Sequence, residues 1–79
     1  MVTRVTLRQM NEGEDGVVAE FLSGRGMRER LSALGIRPGV KIKKVGTASK
    51  HGPVVIQAGR SQTAIGCGMS HKIIVEVER

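Results

Sequence analysis

The 79 residues carry thirteen Lys and Arg against seven Asp and Glu, a net charge of +6, and are expected to form one small domain over residues 1–79. A chain of this length hides only about 60% of its unfolded surface, so its core is small. One cysteine, Cys67, excludes a disulfide framework, and apolar runs no longer than Val54-Val55-Ile56 or Ile73-Ile74-Val75 exclude a bilayer span. A single thiol without a leader pattern points to a reducing, cytoplasmic setting.

Val5 and Leu7 alternate with Thr6 and Arg8, the pattern of a weak half-buried strand. Asn11 to Gly16 is a polar turn, and Val17 to Leu22 reads as a second strand with Glu20 toward water. A short helix is predicted over Met27–Leu34, where Met27, Leu31 and Leu34 at i, i+4, i+7 share one face. Gly35 is its expected C′ residue, with Ile36 folding back on Leu31. Arg37-Pro38-Gly39-Val40 has the residue choice of a type II turn.

Beyond that corner, Val40 and Ile42 alternate with Lys41 and Lys43, giving a strand with one buried and one cationic face. Lys44-Val45 breaks the alternation, a sign of a bulge or of the strand's end. Gly46 to Pro53 is a loop. Val54, Ile56 and Ala58 form the next strand, with Gln62 to Ile65 as its hairpin partner. One helical turn is expected near Met69, and Ile73, Val75 and Val77 mark the clearest strand of all. Five or six short antiparallel strands with one helix point to a mainly β, SH3-like barrel.

Between Arg25 and Lys50 lie eight cations against one acid, Glu29. Such a region steers toward nucleic acid, anionic lipid or an acidic protein surface. Phe21 is the only aromatic residue, so base stacking and an aromatic groove for polyproline are both missing. Gly24-Arg25-Gly26 and Gly66-Cys67-Gly68 lack the third glycine of a dinucleotide loop. Cys67 and His71, four apart, are candidate ligands for a transition metal, with His51 as a third donor elsewhere in the chain. They fall short of the four ligands of a closed structural site. No Ser-His-acid or Cys-His-acid grouping is present, and the chain does not read as an enzyme.

Arg30-Leu31-x-x-Leu34-Gly35-Ile36-x-Pro38-Gly39, then Gly52-Pro53-Val54, Ile65-Gly66-x-Gly68-Met69 and Lys72-Ile73-x-Val75 carry a family resemblance. From about Leu7 to Val77 the chain resembles FeoA, the small cytosolic protein family of bacterial ferrous-iron uptake. Cys67 stands where arginine is more usual, and Ser70 where the family tends to have alanine. The resemblance implies an SH3-like barrel, with Leu31, Leu34, Gly35, Pro38 and Gly39 as its structural signature. It also implies an accessory role beside FeoB, a membrane iron transporter with a cytosolic GTP-binding domain. The same domain type occurs at the C-terminus of metal-dependent iron and manganese repressors.

On charge, docking to the cytosolic part of that transporter is expected to use Arg28, Arg30 and Arg37 for orientation, with Lys41 and Lys43 beside them. No cofactor and no small-molecule substrate are expected. One alternative is an iron or zinc sensor or carrier holding a weakly bound metal on Cys67 and His71. A further one is a basic barrel contacting nucleic acid through phosphates alone. A homo-oligomer is compatible with a small barrel that leaves one strand edge unpaired.

Overall fold

A computed structural model describes residues 1–79. Six strands arise where apolar and polar residues alternate: β1 (Val2–Thr6), β2 (Asp15–Phe21), β3 (Lys41–Thr47), β4 (Val54–Ala58), β5 (Ser61–Ile65) and β6 (Ile73–Glu78). They form one antiparallel sheet in the order β1-β6-β2-β3-β4-β5, which leaves β1 and β5 as its edges. β2 is irregular between Val18 and Glu20, and β3 between Lys44 and Gly46. Such bulges increase the local twist and let a sheet this small curl around its own apolar face. Fourteen buried apolar side chains fill that concave face, among them Val18, Ile42, Val54, Ile56, Ile73 and Val75.

Leu7 does not continue β1. It opens a 3₁₀ turn, Leu7–Gln9, because Thr6 and Gln9 cap it reciprocally. Thr6 Oγ1 accepts from the Gln9 N–H at 3.3 Å, and Gln9 Oε1 accepts from the Thr6 N–H at 2.9 Å. The capping box outweighs the weak alternation and turns Leu7 into the core.

Helix α1 spans Arg25–Ala33, starting two residues ahead of the expected Met27. Its end is a Schellman cap: Gly35 N–H donates to Ser32 O at 2.9 Å and Ile36 N–H to Leu31 O at 2.8 Å, with Gly35 at φ +82°. Leu31 and Ile36 are both fully buried. Leu34 is the C-cap and stays 45% exposed, so the expected three-residue apolar face reduces to Met27 and Leu31. The reason is the cap itself, which folds Ile36 back into the core next to Leu31.

The type II turn follows as expected, with Gly39 at φ +94° and Val40 N–H donating to Arg37 O at 3.1 Å. Gly39 N–H to Val18 O (2.8 Å) and Val18 N–H to Val40 O (2.9 Å) tie this corner to β2. A one-turn helix, α2 (Cys67–Ser70), links β5 to β6 and begins two residues before Met69. No helix is long and apolar enough to cross a membrane.

Candidate partner-docking site

Ion pairing divides the charged residues into two groups. Glu14 pairs with Arg79, Glu20 and Glu76 with Arg4, and Glu78 with the N-terminal ammonium. Arg28, Arg30, Arg37, Lys41 and Lys43 are all exposed, and none has an ion-pair partner within 4.0 Å. Glu20 is taken by Arg4, and Glu29, beside Arg30 in sequence, makes no pair either.

The structure does not gather these five cations into one groove. Lys41 and Lys43 stand on the outer face of the sheet, in a shallow groove with Asp15, Gln57 and Gly59. Lys43 lies directly opposite Asp15 in the β2–β3 register, so a carboxylate already sits beside these lysines. Arg30 lines a different groove, between α1 and α2, together with Gly26, Met27, Gly68, Met69 and Lys72. The two grooves share no residue. Arg28 and Arg37 are exposed and line neither. Lys72 and Met69 are the members of the second groove that charge and periodicity left unread.

Two basic residues have structural roles. Lys44 is only 4% exposed, and its Nζ donates to Arg8 O and Met10 O, both at 2.7 Å. Burial lowers its pKa below the ordinary lysine value, with the Arg8 charge adding to the effect. Arg8 in turn holds the 48–53 loop, shorter than the expected 46–53 because Gly46 and Thr47 pair with β4: Nη1 donates to Gly52 O at 2.7 Å and Nη2 to Lys50 O at 2.6 Å. Arg8 Nη1 also reaches Ser70 Oγ at 3.3 Å, while that hydroxyl donates to Cys67 O at 2.8 Å. Ser70 is fully buried, so the serine at this position ties α2 to the first turn of the chain.

Cys67 Sγ, at the start of α2, lies 3.8 Å from Nε2 of His71, which follows that helix. Together they offer two converging donors, half of a tetrahedral shell. No group of three or more His, Cys, Asp or Glu gathers anywhere in the structure, and His51 therefore does not complete them.

Residues 5–77 match the FeoA domain. The chain belongs to that family. Its FeoA domain is 40% identical over 65 residues to the Fe(2+) transport protein A of Methanocaldococcus jannaschii, covering 82% of this chain and 77% of that protein. The crystal structure of an iron uptake regulatory protein (FeoA) superposes with a TM-score of 0.82 at 30% identity, covering 95% of this chain and 99% of the other. A manganese-dependent transcriptional repressor shares the fold at TM-score 0.86 and 15% identity, with 99% of this chain matching 44% of the repressor. The mainly β, SH3-like fold expected from the strand pattern is thus the fold of the family.

Proposed function

We propose that this FeoA-family chain is a non-enzymatic accessory protein of ferrous-iron uptake that works on the cytosolic side of the membrane. It docks on the cytosolic part of a FeoB-type transporter. The observation that carries this reading is the unpaired state of the helix cations. The acids that form ion pairs do so with Arg4, Arg79 and the N-terminus, and α1 is left presenting Arg28 and Arg30 to solvent. Unpaired cations on a short helix fixed by its C-cap raise the encounter rate with an acidic surface and orient the complex. The name of the Methanocaldococcus jannaschii relative supports the iron-transport assignment. The test is calorimetric titration of the transporter's cytosolic part with the Arg28→Glu, Arg30→Glu double variant. Affinity is expected to fall at least tenfold while the thermal transition is retained, and unchanged affinity overturns the reading.

A second reading, a sensor or carrier of iron or zinc, draws support from the 3.8 Å approach of Cys67 Sγ to His71 Nε2. Two donors leave the remaining positions to water or to a second protein molecule. Stoichiometric uptake of zinc or ferrous iron that disappears in Cys67→Ser favours this reading. Equal uptake by both proteins removes it.

A further inference from the structure

The docking reading leaves open which surface is the socket, and this inference rests on that reading. Of the three grooves that hold docking cations, the two at Lys41 already contain acids, Asp15 in the one shared with Lys43 and Asp15, Glu76 and Glu78 in the other. A carboxylate arriving at either meets a like charge as well as lysine. The groove between α1 and α2, about 410 Å³, holds Arg30 and Lys72 and no acid. Neither of its cations is ion-paired.

The apolar content of the α1–α2 groove is also distinct. Met27 and Met69 are half-buried, packed on the core from one side while lining the groove with the other. Unbranched thioethers adapt to the shape of an inserted side chain better than branched residues do. Leu22, 55% exposed, immediately precedes this region, and its N–H is fixed to Lys72 O at 2.7 Å. A small apolar slot flanked by cations is the arrangement in which one anchoring side chain and one carboxylate are recognised together.

We propose that the α1–α2 groove is the socket for an acidic segment of the transporter, with an apolar side chain between Met27 and Met69 and a neighbouring carboxylate on Arg30 and Lys72. Gly26 and Gly68 add only backbone to the lining of the slot, and a Cβ at either position meets no atom within 4 Å. A larger side chain at Gly68 is therefore accommodated without displacing the core and adds bulk to the lining of the slot.

The test measures affinity for the purified cytosolic part of the transporter with four proteins: wild type, Arg30→Glu with Lys72→Glu, Gly68→Leu, and Lys41→Glu with Lys43→Glu. Loss of at least tenfold in the first two variants, with the third within twofold of wild type, is the expected result. If Gly68→Leu fails to fold, the Arg30/Lys72 pair carries the test alone. Wild-type affinity in the Arg30/Lys72 variant, with loss in the Lys41/Lys43 variant, overturns the groove and leaves the docking reading standing. Absence of binding by the wild type overturns both.

Discussion

Lys44 Nζ donates a 2.7 Å hydrogen bond to Met10 O, joining β3 to the end of the first 3₁₀ turn across 34 residues of chain. A second bond, to Arg8 O, leaves the ammonium with two backbone acceptors in a 4% exposed position. Replacing Lys44 with Met keeps most of the volume but strands both carbonyls. The expected loss is about 3 kcal/mol, from two buried acceptors left without donors. Urea denaturation of Lys44→Met checks this, and a loss below about 1 kcal/mol shows that water replaces the ammonium.

Arg79 grips Glu14 with two bonds, Nη2 to Oε1 at 2.9 Å and Nε to Oε2 at 3.1 Å, while Asn11 N–H donates to Oε1 at 2.9 Å. The Arg79 bonds first, and then the Asn11 bond, pull the carboxyl from 4.5 down to about 2. A depressed carboxyl stabilises the fold in full above the unfolded value and loses that contribution as pH falls through the folded one. Glu14→Gln is therefore expected to be less stable than wild type at pH 6, with the difference shrinking from about pH 4.5 and vanishing only below about pH 2. Denaturation midpoints measured across that range decide it.

Arg8 is the clamp of the 48–53 loop. Arg8→Ala removes its bonds to Lys50 O, Gly52 O and Ser70 Oγ together. Amide exchange is expected to accelerate in that loop and in α2, while the β2–β6 ladder keeps its protection. Uniform acceleration throughout the chain contradicts a local clamp.

Gly16 of β2 lies opposite Val77 of β6. A Cβ there would run into Val75 Cγ1 and approach Glu76 O at 3.0 Å. Gly16→Ala is expected to cost about 1–3 kcal/mol by overpacking. Gly35→Ala, at φ +82°, costs about 1 kcal/mol through backbone strain alone. Thermal melts of the two variants separate steric from conformational cost.

The parts of this fold that depend on neighbouring residues were legible in the sequence. Gly35-Ile36 and Pro38-Gly39 dictate a helix cap and a turn through local backbone preferences, and both occur. The misplaced Leu34 shows the limit of helical periodicity, because an i+7 position at a C-cap no longer follows the helix face. Lys44 carried a readable signal: it shares strand parity with buried Ile42, and the bulge comes only after it. Its acceptors, the carbonyls of Arg8 and Met10, come from a distant turn that no local pattern announces. The α1–α2 groove was equally hidden. Arg30 stands out by charge, but Met69 and Lys72 join it only through the tertiary fold, in which Leu22 N–H, just ahead of α1, donates to Lys72 O.

The measurement that bears most directly on the docking assignment is an amide NMR titration with the transporter's cytosolic GTP-binding part at physiological salt. Shifts concentrated in Arg25–Ala33 and in residues 67–72 are the expected result. Shifts confined to β3 and β4 contradict the α1–α2 socket, and the absence of any shift contradicts the docking assignment itself.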